Sequence, residues 1–411
     1  MEHSRKYSWS LRRAPDGPLA PYVDGFVGRL SGLGYAETSA HLYTRLAADF
    51  SRWLKQKNVA KEEITPEHAL RYLRYRARNQ RPRTGDAAAL TRLLDLLTEK
   101  GVIAPRRTPI DVTPAQRLLD EYALYLRQER VLASPTRVNY LRFVRSFLAD
   151  RFGRGRLRLS VLCAADVIRF VQHEAADLSP KVATLVTTAL RSFLRYARYR
   201  GYIAVDLAAA VPAVANWSMA SIPRSIEPDH MRRVLAGCNR QSAVGRRDYA
   251  ILLLLARLGL RAGEVAGLAL EDIDWEAGCL NVRGKGGHRS ALPLPADVGE
   301  AIAAYLRVGR PASTSRFVFL RAKAPIRGFQ SSIAVLSVVR HALARAGIDT
   351  PRKGAHQFRH ALACEMLRQG ASLPDIGQIL RHRSPQTTAI YAKVDLASLR
   401  SLALPWPGAT R

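Results

Sequence analysis

The sequence predicts a mainly α-helical protein with one small β-sheet, in which N-terminal helical bundles precede a mixed α+β domain. Apolar residues recur with helical spacing along most of the chain, and proline often stands at the first position of a predicted helix. Strand-like alternation is clear only on either side of a glycine-rich turn at 284–288. Because 411 residues exceed the length of one ordinary compact domain, we expect two or three domains.

The composition indicates a globular protein with a strongly basic surface. Hydrophobic residues make up 47% of the chain and charged residues 24%, which is not the composition of a disordered protein. Lysine and arginine total 64 against 34 acidic residues, which gives a net charge of +30. That excess favours a polyanionic partner, and nucleic acid is the usual one. Arginine on solvated helix faces would explain the ratio of arginine to lysine, but not the net excess.

The cysteines and the hydropathy pattern predict a soluble protein of the cytoplasm. The four cysteines lie far apart, without the spacing of a disulfide framework or a zinc site, and they are Cys163, Cys238, Cys279 and Cys364. The longest apolar run, 249–256, is far shorter than the roughly 20 residues that span a bilayer. The N-terminus has no apolar signal core. We therefore expect free thiols and no membrane partner.

The first half of the chain is predicted to hold two successive runs of four helices. Residues 1–19 are polar and predict a loose leader. The first run occupies 20–108 and the second 111–212, and the fourth helix of each stops at a glycine, Gly101 or Gly201.

The two runs also resemble one another in sequence. A duplicated four-helix DNA-binding module would explain the similarity, although two amphipathic bundles can also match by chance. Each run contains a basic stretch with interleaved tyrosines, at 71–76 and at 195–200, which suits phosphate contact or a solvated face; Arg195 and Arg198 are candidate DNA contacts. The matching positions are Tyr43, Leu46 and Phe50 with Tyr140, Phe143 and Phe147, and 101–104 with 201–204.

The second half begins after a linker at 213–225, within a stretch rich in proline and small residues. Residues 226–411 then form the predicted α+β domain, whose hairpin strands flank the glycine-rich turn. Its other predicted elements are helices at 228–238, 246–258, 296–308 and 328–346, a short strand at 317–320, the helical stretch 353–394 and an apolar tail at 396–402.

The stretch 353–394 carries the strongest chemical signal. It places His356 and Arg359 three residues apart at the start of a helix, then His382, and Tyr391 nine residues later. In so basic a chain this set suggests chemistry on a phosphate. No carboxylate cluster with metal spacing is visible, which argues against a two-metal nuclease. Arginines must then neutralise the developing charge, because the guanidinium is permanently cationic and bidentate toward phosphate.

Further upstream, two residues complete this candidate set. Arg261 follows the predicted tight turn at Gly259, and Lys285 stands at the tip of the hairpin. A lysine there can protonate an alkoxide leaving group, or can be an ordinary exposed turn residue. Tyr391 would be the covalent nucleophile. Since a lone histidine is usually structural, we assign that role to His360.

In this order, the residues resemble the catalytic set of the tyrosine recombinases, the phage-integrase and Xer family. The segments RLGLRAGEV (257–265), HQFRH (356–360) and HRSPQTTAIY (382–391) resemble its three signature boxes. The resemblance covers about 226–400, and 111–212 resembles the family's core-binding domain. Two departures are the additional module at 20–108 and Arg381, where a glycine commonly precedes the last histidine.

The resemblance implies a fold and a role for each residue. The fold would be helical (SAM-like) DNA-binding bundles followed by a mixed α+β tyrosine-recombinase catalytic domain. Tyr391 would attack the scissile phosphate to form a 3′-phosphotyrosyl link. The other implied roles are phosphate binding by Arg261, Arg359 and His382, proton donation by Lys285, proton transfer on the nucleophile side by His356, orientation of Arg261 by Glu264, and DNA contact by Arg283 and Arg289. At Arg381 we expect altered packing or an added contact with the DNA phosphate.

The resemblance also implies an assembly and a biological setting. Four protomers, identical or from related recombinases, would act on two double-stranded DNA sites through a Holliday junction, without metal, ATP or another cofactor. The tail residues Leu396, Leu399 and Leu402 would dock on a neighbour or on their own domain. The expected protein is thus a nucleoid-associated bacterial integrase or transposase of a mobile element. The alternatives are a DNA-relaxing enzyme like the type IB topoisomerases and a non-catalytic DNA-binding accessory protein.

Overall fold

The structure, a computed structural model, describes residue 11 and residues 13–104, 113–153, 155–215, 222–223, 225–284, 289–350, 353–395 and 399. Within these ranges helices dominate, and a single three-stranded sheet is present. The predicted fold class, mainly α with a small β-sheet, is confirmed.

The chain divides into two compact units. One unit contains the described residues up to 104 together with those from 222 onward, and the other contains those from 113 to 215. The first unit is therefore discontinuous in sequence. It contains one hydrophobic cluster between Leu19 and Ile103 and two others, between Ile226 and Phe358 and between Ala363 and Tyr391.

The N-terminal part of the first unit consists of four helices, as predicted. They are α1 (Val23–Gly32), α2 (Glu37–Gln56), α3 (Pro66–Ala77) and α4 (Asp86–Glu99). The prediction of a loose leader is wrong for its last residues. Leu19 is fully buried, and its N–H donates to the hydroxyl of Ser51 at 3.0 Å. The absence of a side chain at Gly17 makes this approach possible, because a Cβ there would collide with the carbonyl of Ser51. Its φ of 95° also favours glycine.

The second unit repeats this plan with α5 (Pro114–Gln128), α6 (Ser134–Phe152), α7 (Ala164–Ala176) and α8 (Pro180–Tyr199). The two helical runs share packing details. The Phe50 and Tyr72 rings lie 5.1 Å apart between centroids, and the Phe147 and Phe170 rings lie 5.2 Å apart. Each run ends in the same turn, in which Gly101 and Gly201 have φ values of 69° and 74°. These similarities support the predicted duplication, which remains a prediction.

The remainder of the first unit is a helical domain with a small sheet. Its elements are α9 (Pro228–Ala236), α10 (Ala243–Arg257), α11 (Ala262–Ala266), β1 (Ile273–Asp274), β2 (Cys279–Arg283), β3 (Arg289–Pro293), α12 (Ala296–Ala304), a π-helical turn (Tyr305–Gly309), α13 (Ser332–Arg345), α14 (His356–Arg368), α15 (Leu373–Ile379), α16 (Pro385–Thr388) and a 3₁₀ segment (Ala389–Val394). The sheet is antiparallel in the order β1-β2-β3, and the pairs Cys279–Pro293 and Arg283–Arg289 set the register of the hairpin.

The predicted strand at 317–320 forms only two isolated bridges, from Phe317 to Ala269 and from Leu320 to Gly328. Carbonyl oxygens of this segment accept hydrogen bonds from a side chain instead. The Arg310 guanidinium donates to the carbonyl oxygens of Phe317 and Val318, at 3.0 and 3.3 Å. An extended ladder therefore does not form along this segment.

The core of this domain is built around α10, whose residues Ala250 to Leu255 are all buried. None of the described helices is long and apolar enough to cross a membrane. The described cysteines are free thiols, as expected, and Cys163 is the exposed one.

The start of α10 gives a test of this packing. A Cβ added at Gly245 would stand 1.8 Å from the carbonyl oxygen of Asn239, whereas one added at Gly263 on α11 would meet nothing within 4 Å. We expect Gly245→Ala to lower the free energy of unfolding by about 1–3 kcal/mol. The matched Gly263→Ala should raise it by about 0.5–1 kcal/mol, because it only removes chain entropy. Urea unfolding midpoints measure both, and equal effects would contradict the close approach at Gly245.

Candidate active site

Five of the six predicted catalytic residues lie in described parts of the chain, four of them in or beside helices and His382 in the loop between α15 and α16. Arg261 is the N-cap residue of α11, His356 and Arg359 lie in the first turn of α14, and Tyr391 lies in the 3₁₀ segment after α16. Gly259 makes the sharp turn before Arg261 with a φ of 56°. A Cβ there would come within 2.8 Å of Leu380 and 3.0 Å of Leu362.

A buried carboxylate connects two of the arginines. The Oε1 atom of Glu264 accepts from Nη1 of Arg261 at 2.8 Å, and its Oε2 atom accepts from Nη2 of Arg381 at 2.9 Å. The backbone N–H of Arg261 also donates to Oε2, at 2.8 Å. The Glu264 side chain is only 4% exposed, and that of Arg261 is 33% exposed. The predicted contact between Glu264 and Arg261 is therefore present, and it is stronger than one ion pair.

Charge balance determines the protonation state of this group. Burial alone would raise the pKa of Glu264, but the backbone hydrogen bond from Arg261 and the charges of Arg381 and Arg261 outweigh it and lower the pKa. Glu264 is therefore ionised near neutral pH. Together with Arg359 these residues form a set of three guanidinium groups and one carboxylate, which remains net positive.

Backbone carbonyls hold Arg359 in place. Its Nη1 atom donates to the carbonyl oxygen of Gly259 at 2.5 Å, and its Nη2 atom donates to that of Leu380. The residue is 3% exposed. Burial, followed by repulsion from Arg261 and Arg381, lowers the pKa of Arg359 to about 10, so that it stays cationic at neutral pH. The two named bonds leave other N–H donors of the guanidinium for a ligand.

Arg381 does not lie on an open DNA-facing surface, which corrects its assignment as a DNA contact. Its side chain is 11% exposed and is engaged by Glu264. Its backbone φ is 55°, in the left-handed region that favours glycine. This explains why a glycine suits the position before the last histidine. Here an arginine occupies this backbone conformation, and its side chain forms a buried ion pair with Glu264.

The predicted nucleophile is buried and has a histidine partner. Tyr391 is 1% exposed, and its hydroxyl lies 2.9 Å from Nδ1 of His360. Burial raises the pKa of Tyr391 to about 12, although the Arg359 charge opposes the shift. Burial, followed by the charges of His356 and Arg359, lowers the pKa of His360 below its ordinary value. The imidazole of His360, for which a structural role is predicted, thus contacts the tyrosine hydroxyl.

His382 stands on the other side of the tyrosine ring. The two rings are nearly parallel, at 7°, with centroids 6.5 Å apart. Burial, followed by the charges of Arg359 and Arg261, lowers the pKa of His382 to about 4, so that the ring is neutral at pH 7. Its Nδ1 atom is 2.7 Å from the Thr388 hydroxyl. If that hydroxyl donates, the proton of the ring lies on Nε2, which then can donate to a phosphate oxygen.

His356 begins the same helix face as His360, with their ring centroids 6.3 Å apart. This i,i+4 spacing was a signal for His360 in the sequence, since both rings must lie on one side of α14. The structure brings His356 close to the cluster, but the imidazole that touches the tyrosine hydroxyl is that of His360.

The remaining predicted residues lie elsewhere or outside the described ranges. Lys285 lies outside them. Arg283 and Arg289 are exposed partners across β2 and β3, and Arg283 also contacts Asp272 at 3.3 Å. Arg195 and Arg198 are exposed on α8, in the other compact unit. In the predicted tail, Leu396 and Leu402 lie outside the described residues, and Leu399 is 44% exposed.

The cluster as a whole has the chemistry of a phosphate site. It offers fixed cationic donors, a neutral imidazole and a tyrosine hydroxyl with a neutral imidazole partner, which is the kind of group that can act as a nucleophile. Among the residues that the structure describes, no group of three or more His, Cys, Asp or Glu side chains is arranged to hold a metal ion.

Comparisons with known proteins show which family the chain belongs to. Residues 224–397 match the family described as Phage integrase family. The chain is 53% identical to y4rA of Sinorhizobium fredii, a candidate integrase/recombinase, over 99% of both chains. It is 31% identical to tyrosine recombinase XerD of Mycobacterium tuberculosis, over 71% of this chain and 96% of that one. A solved XerH recombinase, in a post-cleavage complex with palindromic difH substrate, matches the fold with a TM-score of 0.57 at 18% identity, over 84% of this chain and 98% of that one.

The full-length identity to y4rA and the match to XerD agree with the order and geometry of the site residues. This chain belongs to the phage integrase family of tyrosine recombinases.

Proposed function

We propose that this protein is a site-specific DNA recombinase of the integrase or transposase type, which cuts and rejoins double-stranded DNA through a 3′-phosphotyrosyl intermediate. One observation carries the proposal. Arg261, Arg359, His382 and Tyr391, from three separate segments of the chain, surround the same point beside α10. The net charge of +30 favours DNA as the partner, and the solved XerH relative is bound to its difH DNA substrate.

In the proposed reaction the phenolic oxygen of Tyr391 attacks the scissile phosphorus, and the bond from phosphorus to the 5′ oxygen breaks. Arg261 and Arg359 bind the non-bridging oxygens, and neutral His382 donates a further hydrogen bond. The departing 5′ oxygen takes up a proton, which we assign to Lys285 on the family resemblance alone. Because the phosphotyrosyl ester retains the energy of the broken bond, rejoining to another strand requires neither ATP nor metal.

The hydroxyl proton of Tyr391 passes to His360 in this scheme. His360 is the histidine within hydrogen-bond distance of that hydroxyl, and its lowered pKa keeps it neutral at physiological pH. A neutral imidazole is the form that accepts a proton. This differs from the role in proton transfer that the resemblance gives to His356.

Because Tyr391 and Arg359 are both buried, the proposed reaction requires a movement that admits the phosphate, and we assign that movement to the 3₁₀ segment Ala389–Val394. We place that movement in the assembly step, in which four protomers on two DNA sites form and resolve a Holliday junction. Docking of the tail around Leu399 on a neighbouring protomer would couple assembly to exposure of the nucleophile.

The nucleophile is tested by covalent trapping. A duplex from the ends of the element, nicked so that the cleaved strand dissociates, should give an SDS-resistant protein–DNA adduct with the wild-type protein, in EDTA and without ATP. Tyr391→Phe should give none, because it lacks the attacking oxygen. Tyr249→Phe on α10 is the matched control and should react normally. An adduct with Tyr391→Phe, or none with the wild type, would refute the assignment.

The proton acceptor is tested by the pH dependence of single-turnover adduct formation. His360 accepts a proton only when neutral, so the rate should be level above about pH 6.5 and fall as the pH drops through its lowered pKa. His382, whose pKa is about 4, stays neutral over this range and contributes no step.

The substitution His360→Gln should slow the reaction by about 10²–10⁴-fold and remove the acid limb of the profile. His341→Gln, at an exposed position on α13, serves as the control. Loss of the limb in His356→Gln, with its retention in His360→Gln, would assign the proton to His356 instead.

The shared carboxylate gives a third test. Glu264→Gln preserves the shape of the side chain but leaves Arg261 and Arg381 without their anion. We expect adduct formation to fall by about 10²–10³-fold. Arg381→Gly should remain within about tenfold of wild type, because glycine suits the positive φ and Glu264 still holds Arg261. Equal losses in the two variants would show that Arg381 itself binds the phosphate.

A further inference from the structure

The N-terminal helices contact the domain that carries the candidate active site. The carbonyl oxygen of Leu33, directly after α1, accepts a hydrogen bond from the backbone N–H of Ile326 at 2.8 Å. Beside this bond, a Cβ placed at Gly34 would stand 2.5 Å from Cγ1 of Ile326. The turn that follows α1 therefore packs directly against Ile326, and both belong to the first compact unit.

Each side of this contact is fixed within its own part of the protein. On the N-terminal side, Gly34 ends the turn after α1 with a φ of 75°. On the other side, Ile326 lies in a loop between Leu320 and Gly328, which form a β-bridge. The carbonyl oxygen of Leu320 also accepts from Nη1 of Arg247 on α10 at 3.1 Å. The contact thus joins two anchored turns and has a defined geometry.

The contact is not part of either hydrophobic core. The N-terminal helices have their own buried cluster, and so does the domain built around α10. Neither cluster includes Leu33 or Ile326, and both residues are only half-buried. Because a backbone hydrogen bond contributes little net stability in water, the contact can open while both cores stay intact.

The place of this contact in the chain gives it a topological consequence. The second compact unit stands in sequence between the N-terminal helices and the domain that carries the candidate site, and the backbone joins it to both. The contact joins those two parts to one another a second time. Backbone and contact together therefore form a closed loop that runs through the second unit and is completed at Leu33 and Ile326.

Both compact units have features that suit DNA. The candidate site lies in the first unit, and Arg195 and Arg198 are exposed on α8 of the second. Between residues 113 and 215 the sequence contains 16 basic residues against 8 acidic ones, so the second unit attracts a polyanion as a whole. One duplex that contacts both units can therefore pass through the closed loop that connects them.

We propose that the contact between Leu33 and Ile326 closes the chain around bound duplex DNA, so that the protein encircles its substrate. Opening of the contact admits the duplex from the side, and its closure retains the duplex during cleavage and rejoining. The inference rests on the proposed action on DNA, but the contact contains none of the residues assigned to cleavage. It is a contact between two parts of one chain and not a contact with DNA.

A covalent lock across the contact provides the test. A Cβ at Gly34 would lie 3.2 Å from the Cβ of Ile326, close to the separation of about 3.8 Å in disulfides. The full-length variant Gly34→Cys/Ile326→Cys is therefore expected to form a disulfide on oxidation. It also carries Cys163→Ser, which removes an exposed thiol, and Tyr391→Phe, which excludes a phosphotyrosyl adduct.

This variant is mixed in reduced form with a closed-circular plasmid that carries the ends of the element, then oxidised and denatured in SDS. We expect the protein to remain on the circle, because a disulfide-closed chain that encircles a closed circle cannot separate from it. Dithiothreitol, or one cut by a restriction enzyme, should release it completely. Retention should be lost when the plasmid is linearised before mixing, and also when the protein is oxidised before the circle is added.

A disulfide of the same design inside one domain is the matched control. A Cβ at Gly328 would lie 2.9 Å from the Cβ of Phe317. In the same background, Phe317→Cys/Gly328→Cys should therefore close a short loop that does not include the second unit. SDS should release this variant from the circular and the linear plasmid alike.

Release of the cross-linked Gly34→Cys/Ile326→Cys protein from the circle, as from the linear plasmid, would overturn the proposal. Leu33→Cys/Ile326→Cys, joined with a bis-maleimide reagent, is the second pair and retains glycine at the position with positive φ. Failure of both pairs to cross-link would contradict the contact itself and, with it, the encirclement.

Trapping with the nicked duplex separates this inference from the proposed function. A wild-type protein that forms no adduct, together with a locked variant that stays on the circle, would reject the enzymatic function and retain the encirclement. Normal adduct formation, together with a locked variant that SDS releases from the circle, would do the reverse.

Discussion

The buried carboxylate of Glu264 is the contact on which the candidate site depends. It binds Arg261 at the start of α11 and Arg381 just before His382, and thereby joins two segments that are far apart in sequence. Three guanidinium groups could not be held so close together without an anion, because their mutual repulsion in a buried setting is strong. Burial, followed by the repulsion that remains, lowers the pKa values of Arg359 and His382. A phosphate entering the site would relieve that repulsion, because the single Glu264 carboxylate leaves the cluster with a net positive charge.

The proposed phosphate-binding side and the proposed nucleophile side of the site are held in different ways. Arg359 is anchored by the carbonyl oxygens of Gly259 and Leu380, which belong to well-packed turns. Tyr391 lies instead on a short 3₁₀ segment, and its named polar contact is with His360. Short helices of this type have poorer hydrogen-bond geometry than α-helices. The arginines thus provide a fixed frame, while the proposed nucleophile lies on a short 3₁₀ segment.

Most of the helices could be predicted from apolar spacing and from proline and threonine at helix starts, because these are local signals. The set of candidate site residues and its order could also be predicted from the sequence, since the family resemblance depends on residue type and spacing. The contact of His360 was not predicted, because a histidine in a helix gives no sign of which distant side chain it meets. Arg381 was misjudged for a related reason: its partner Glu264 is remote in sequence, and only the fold shows that the guanidinium is buried. The packed end of the leader and the failed strand at 317–320 likewise depend on single tertiary contacts, through Ser51 and Arg310.

The discontinuity of the first compact unit has a consequence for how the protein is made. A ribosome synthesises α1 to α4 first, then the whole of the second unit, and only afterwards the segment that contains Ile326, the partner of Leu33. At ordinary rates of translation the N-terminal helices wait on the order of ten seconds or more for that partner. During this interval they must be stable through their own hydrophobic cluster, which is what the separate cluster from Leu19 to Ile103 provides. The nascent protein would therefore present a folded, basic helical module to its surroundings well before the proposed nucleophile has been synthesised.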